Sequence, residues 1–196
     1  MFWDRISPLY DLFENVYNRK VYAETGARVA ALVAPSDAVL ECACGTGAIS
    51  VCLAPKCRRL VATDFSAAML RRAAGKCRKY ASVSFEIADI THLPYADGSF
   101  DVAVAGNVIH LLAEPEAAVQ ELARVVRPGG KLIIPTYLYP RDRGAVKFLA
   151  ALGAHIERGF DLASYRAFFA AIGYDGAAFS VVDGRMPCAI AVIAKP

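Results

Sequence analysis

The chain has 196 residues, 56% of them hydrophobic and 21% charged, a balance that folds around a sizeable core and excludes a disordered chain. Its formal net charge of +3 is too small to argue for a nucleic-acid or membrane partner. No apolar run reaches the roughly 18 residues needed to cross a bilayer, and Met1-Phe2-Trp3-Asp4-Arg5 lacks the basic start and apolar run of a secretory signal. Six cysteines without a Cys-x-x-Cys pair do not make a disulfide framework at this length, so a reducing, cytoplasmic setting is expected.

Taken in order, residues 4–33 carry Ile6, Leu9, Tyr10, Phe13, Val16, Tyr17 and Val21 at helical steps, and a second helical stretch runs through Arg28–Val33. Strand one is expected at 38–43. It breaks at Gly45-Thr46-Gly47 into a helix over about 47–54, an arrangement by which an α/β sheet holds a nucleotide. Strand two, 60–63, ends at Asp64, where a carboxylate could hold ribose hydroxyls. Ser66 fits the N-cap of a helix reaching about Arg78. Strand three covers 82–88 and ends at Asp89; strand four, 100–105, stops at Gly106-Asn107. A helix over 115–126 halts at Arg127-Pro128-Gly129-Gly130, and strand five follows at 131–135. Crossovers of this length predict parallel strands with right-handed connections. Helices are expected near 145–157 and 162–172. Two apolar runs, 177–182 and 188–194, separated by Asp183-Gly184-Arg185-Met186-Pro187, read as an antiparallel hairpin.

Four ordered motifs resemble the class I S-adenosylmethionine-dependent methyltransferases, in particular the small-molecule branch related to ubiquinone and menaquinone biosynthesis enzymes. They are Glu41-Cys42-Ala43-Cys44-Gly45-Thr46-Gly47, Asp64-Phe65-Ser66-Ala67-Ala68-Met69-Leu70, Ala88-Asp89-Ile90 with Leu93-Pro94-Tyr95 and Asp97–Asp101, and Leu122–Leu132. The resemblance covers about residues 5 to 135. It departs at Ala43, where many members have glycine.

The resemblance implies a Rossmann-like three-layer sandwich around a seven-stranded, mostly parallel sheet in the order 3-2-1-4-5-7-6, the last strand antiparallel. It implies one methyltransferase domain over 1–196, with 1–35 as a helical cover, 36–136 as the cofactor-binding core and 137–196 as helices and hairpin. The cofactor would be S-adenosyl-L-methionine and the product S-adenosyl-L-homocysteine. Glu41 would sit below the methionine part, with Ala43, Gly45, Thr46 and Gly47 as the turn around it. Asp64 would take the ribose, which suits a carboxylate able to accept two hydrogen bonds. Met69 would flank the adenine, Asp89 would accept from its exocyclic amine, and Ile90 would pack on the ring, with Phe65 and Ala88 also among the cofactor-binding residues. Asn107 and His110 would border the methyl group, His110 as a candidate base. Tyr10 would close over the cofactor from the N-terminal helix. Tyr137, Tyr139 and Arg141 are expected near substrate.

Methyl transfer is an in-line displacement whose demand on a protein is alignment and exclusion of water. No metal is expected, because His92, His110 and His155 are too scattered for a ligand set. The acceptor is expected to be a small molecule, with no nucleic acid, no stable membrane insertion, and a monomer or homodimer. A nicotinamide-dependent oxidoreductase is the rival on the glycine turn, but Ser50 stands where a third glycine would be. A nucleic-acid methyltransferase is a second rival, prompted by the basic residues between Lys56 and Lys79. Asn107-Val108-Ile109-His110 replaces the base-reading motif such enzymes carry after strand four.

Overall fold

The computed structural model describes residues 18–138 and 157–196. The elements are α1 (Arg19–Ala31), β1 (Ala38–Cys42), α2 (Ser50–Leu53), β2 (Arg59–Asp64), α3 (Ala67–Cys77), β3 (Val83–Ile87), β4 (Phe100–Ala105), α4 (Pro115–Val125), β5 (Val126–Tyr137), α5 (Leu162–Ala171), β6 (Ala178–Val182) and β7 (Cys188–Ala194). A short 3-10 turn, Ile109–Leu111, follows β4. The seven strands form one sheet in the order β3-β2-β1-β4-β5-β7-β6. Strands β1 to β5 pair in parallel, while β7 runs antiparallel to both β5 and β6. The expected order and hairpin are thus both present.

Burial on two faces explains the strand sequences. Every residue of β1 is buried, as expected of a central parallel strand covered on both sides. Alternate residues serve the two cores. Leu40, Cys42, Ala103, Leu132 and Ile134 pack with α4 and α5. Val39, Leu60, Ala62, Val104 and Ile133 pack with α1, α2 and α3. Glu41 is the polar exception on β1, and it belongs to the site below.

The helices follow from caps and apolar stripes. Ser66 accepts the Met69 amide at 3.2 Å, and α3 buries Met69, Leu70, Ala73 and Cys77 along one side. Helix α4 starts on Pro115 and buries Ala118, Val119, Leu122 and Val125. Asp161 and Ser164 form a capping box on α5.

Three expectations need correction. The helix after Gly47 is a single turn, Ser50–Leu53, because residues 45–49 are spent on turns. The second helical stretch, expected at Arg28–Val33, is the end of a longer helix, Arg19–Ala31, and most of the first stretch lies outside the described residues. Strand β5 begins at Val126 rather than 131. The Gly129 amide donates to the Lys195 carbonyl and the Lys195 amide to Gly130, both at 2.9 Å, so the Arg127–Gly130 segment pairs with the chain beyond β7 instead of looping free. On the other side it bulges: Phe100 pairs with Val126 but Val102 with Lys131. Tyr10, Tyr139, Arg141 and the helix expected near 145–157 lie outside the described residues, except for Glu157 itself, which is not helical.

Candidate active site

The site lies beyond the carboxyl ends of β1, β2 and β4, where ligands bind in open α/β sheets. A cavity of about 250 Å³ is lined by Ala43, Gly45, Asp64, Phe65, Met69, Gly106, Asn107, Val108, Leu111 and Leu112. A recess of about 30 Å³, lined by Tyr22, Glu41, Ala43, Cys44, Gly45, Ile49, Gly106 and Asn107, adjoins it. The two share Ala43, Gly45, Gly106 and Asn107, so the turn after β1 and the tip of β4 form the wall between them.

Backbone strain concentrates at this wall. Ala43 (φ +52°) and Asn107 (φ +55°) are the two non-glycine residues in the left-handed region among those described, and both line the cavity. Gly45 (φ +55°) has nothing within 4 Å of where a side chain would begin, which leaves its backbone open to a ligand. Gly47 (φ +84°) is needed for a different reason: a Cβ there would lie 2.8 Å from the Ala73 backbone of α3. Of the two glycines of this turn, one therefore faces the cavity and the other a helix.

The carboxylate of Asp64, 5% exposed, ties the parts together. One oxygen accepts the Gly45 amide and the other the Ser66 amide, each at 2.9 Å. Glu41 is buried at the floor of the recess, where the Ser50 hydroxyl donates to it at 2.6 Å. Burial is the main cause pushing its carboxyl up to about 8, and Asp64 nearby adds to the rise. Glu41 is accordingly protonated at neutral pH with the site as it stands.

Other expected residues sit one step back. Thr46 is buried and accepts a 3.0 Å hydrogen bond from the Lys76 ammonium of α3. Ile90 is buried and Ala88 packs on the core beneath the site. Asp89 is exposed. Its carboxylate accepts the Thr91 amide at 2.9 Å and the Thr91 hydroxyl at 2.7 Å, which holds it below the usual carboxylate range. None of Thr46, Gly47, Ala88, Asp89 and Ile90 lines either cavity.

His110, in the 3-10 turn between the cavity-lining Val108 and Leu111, does not line the cavity itself. Burial pushes its imidazole down to about 4. Its Nδ1 and the Oδ1 of Asn107 are buried without a hydrogen-bond partner among the described residues. Sequence reasoning missed Tyr22, Ile49, Gly106, Val108, Leu111 and Leu112. The last four follow β4 directly, so position beyond a strand tip was a usable signal. For Tyr22, on α1, the sequence carried none.

A methyltransferase domain family model matches residues 40–134. The ubiquinone/menaquinone biosynthesis C-methyltransferase UbiE of Bdellovibrio bacteriovorus is 36% identical over 143 residues, spanning 67% of this chain and 58% of that protein. The demethylmenaquinone methyltransferase of Mycolicibacterium vanbaalenii is 35% identical, spanning 72% of this chain and 60% of that one. The chain belongs to the class I S-adenosylmethionine-dependent methyltransferases. It spans about three-fifths of the length of these curated relatives.

Solved structures agree on the fold. A methyltransferase from Thermotoga maritima, described as a possible histamine N-methyltransferase, superposes with a TM-score of 0.76 at 20% identity, covering 100% of this chain and 98% of its own. Magnesium protoporphyrin IX methyltransferase from Synechocystis, with bound S-adenosylhomocysteine, does so at 0.73 and 18%, covering 98% and 97%.

The family's cofactor is S-adenosyl-L-methionine, and the residues present fit it. Gly45 offers an uncovered backbone, Asp64 two accepting oxygens, and Asn107 an orphaned amide oxygen, with Phe65 and Met69 as apolar walls.

Proposed function

We propose that this chain transfers the methyl group of S-adenosyl-L-methionine to a small-molecule acceptor, releasing S-adenosyl-L-homocysteine. The observation that carries the reading is the cavity beyond β1, β2 and β4, in which Asp64 braces the Gly45 turn. The cofactor supplies the activated methyl group. In this reading Asp64 accepts from the ribose, and Glu41 with Ala43, Gly45, Thr46 and Gly47 shapes the place of the amino-acid end. Phe65 and Met69 flank the adenine, Ala88 and Ile90 support it, and Asp89 accepts from its amine once turned from Thr91. Asn107 orients the reacting end, and Tyr10 closes over it.

His110 is proposed as the base. As a neutral imidazole with an unpartnered nitrogen it can take a proton, though a group held near 4 is a weak acceptor at neutral pH. An anionic group on the acceptor beside it would raise it, whereas the positive sulfonium of the cofactor would not.

The surroundings bear on the acceptor class. Beside Asn107, the side chains of the cavity wall not assigned to the cofactor are Val108, Leu111 and Leu112, an apolar surface that favours a greasy acceptor and keeps water out. This matches the quinone-precursor chemistry in the names of the relatives. We further take the chain as one methyltransferase domain, with 1–35 as its helical cover, 36–136 as its cofactor-binding core and 137–196 as helices and C-terminal hairpin, working in the cytoplasm as a monomer or homodimer. Among the described residues no helix is long and apolar enough to cross a membrane.

The test is calorimetry with S-adenosylmethionine, S-adenosylhomocysteine and NAD, then a panel of phenol, thiol, amine and carbon acceptors. Binding of both sulfur nucleosides with no NAD binding supports the reading. NAD binding alone would replace it with the oxidoreductase.

A further inference from the structure

The charge of this chain is unevenly placed. Between residues 43 and 85 there are eight basic side chains and a single acid, Asp64, which is buried in the site. The excess of acids is therefore carried by the rest of the chain, since the total is only +3. Helix α3 shows how the basic residues are arranged. It buries Met69, Leu70, Ala73 and Cys77, which turns Arg71 and Arg78 outward and leaves Lys79 exposed just past its end. No acid stands on α3. The described residues provide no carboxylate partner for Arg71, Arg78 or Lys79.

The same end of the molecule carries the two large exposed apolar side chains found among the described residues, Phe65 (45%) and Ile87 (66%). Topology makes them neighbours. β3 is one of the two edge strands and packs beside α3; its Ile87 pairs in register with Asp64, the residue before Phe65. Along β3, Phe85 shares a core with Leu70 and Ala73 of α3, so strand alternation sends Ile87 to that same face. The acid of this strand, Glu86, points to the other face and accepts the Tyr95 hydroxyl at 2.8 Å. Phe65 also lines the cavity, so this corner is its rim.

A cationic helix face with apolar side chains at one end, where the exposed acid Asp89 lies past Ile87 and is held by Thr91, is complementary to an anionic lipid surface. Lysine and arginine find headgroup charge while the apolar groups enter the boundary. A nucleic acid would use the same cations but has little use for an isoleucine exposed beside them. We propose that the outer face of α3, with Ile87 and Phe65 at its end, docks on membranes containing acidic lipids and turns the cavity rim toward the bilayer. The docking does not depend on the methyl-transfer reading.

Co-sedimentation of the full chain tests it, using vesicles of phosphatidylcholine alone and with about one-third phosphatidylglycerol. Binding is expected to the acidic vesicles only and to fall as salt rises. The triple variant Arg71→Glu, Arg78→Glu, Lys79→Glu should weaken partitioning by about tenfold or more, and Ile87→Ser by a few-fold. Both leave the cavity wall untouched, so unchanged S-adenosylhomocysteine affinity shows that they are folded. Binding to neither vesicle, equal binding to both, or full retention by the triple variant would overturn the proposal, as would a preference for duplex RNA over acidic vesicles.

Discussion

Replacing Glu41 with glutamine should change how stability depends on pH, and the size of the change follows from the burial of one carboxyl group. In the unfolded chain this group titrates near 4.5, and in the folded protein near 8, chiefly because burial opposes its charge. Between those values the folded state holds a proton that the unfolded state has released. Stability therefore falls as pH rises, with a slope of about 1.4 kcal/mol per pH unit for one group. From about pH 5.5 to about pH 7.5 the loss from Glu41 alone is on the order of 3 kcal/mol. His110 works in the opposite sense. Held near 4 when folded, it lets stability rise with pH up to its unfolded value of 6.5, which masks part of the Glu41 effect. A difference between parent and variant removes that contribution, and glutamine still offers the Ser50 hydroxyl a carbonyl acceptor. Urea unfolding followed by circular dichroism across this range should show Glu41→Gln gaining on the parent as pH rises. If the two curves stay parallel, Glu41 is not a buried neutral acid and the account of the recess is wrong.

Three further outcomes follow from the same wall. Ala43→Gly should stabilise the apoprotein by about 1 kcal/mol in urea unfolding, because a left-handed backbone costs alanine that much and glycine little; a loss of stability would show that the methyl packs usefully. Gly47→Ala should cost about 2 kcal/mol or more, through both its φ of +84° and the clash with the Ala73 backbone, and a variant as stable as the parent would refute the helix-contact role. His110→Ala should slow methyl transfer by on the order of a hundredfold while S-adenosylhomocysteine affinity stays nearly unchanged. Unaltered rates at every pH would remove it as the base.

Much of the fold could be read in the chain because its strands and turns are locally encoded. The β1–glycine turn, the Ser66 cap, the Pro115 start and the final hairpin each carry their own signal, and each appears where expected. The Arg127–Gly130 segment shows the limit. Its proline and glycines do end α4, but whether they then loop or pair depends on Lys195, far along the sequence. The site divides in the same manner. Gly45 and Asp64 were legible because turn and strand end adjoin in parallel neighbouring strands. Tyr22 was not, since helical periodicity ranks it only as one side chain beside a buried Val21. Asp89 was legible as a strand-end acid, yet the Thr91 two residues on captures its carboxylate, a local competition that side-chain hydrogen bonding makes common.

The most direct trial of the account is titration calorimetry of S-adenosylhomocysteine into the parent and into Asp64→Asn, with circular dichroism confirming that both are folded. Asparagine keeps an accepting oxygen but loses the charge and one acceptor, so affinity should drop at least tenfold, in line with a charged hydrogen bond worth about 1.5–3 kcal/mol. Equal affinity in the two proteins, or no binding by the parent, would contradict the assignment of this cavity to the adenosyl cofactor.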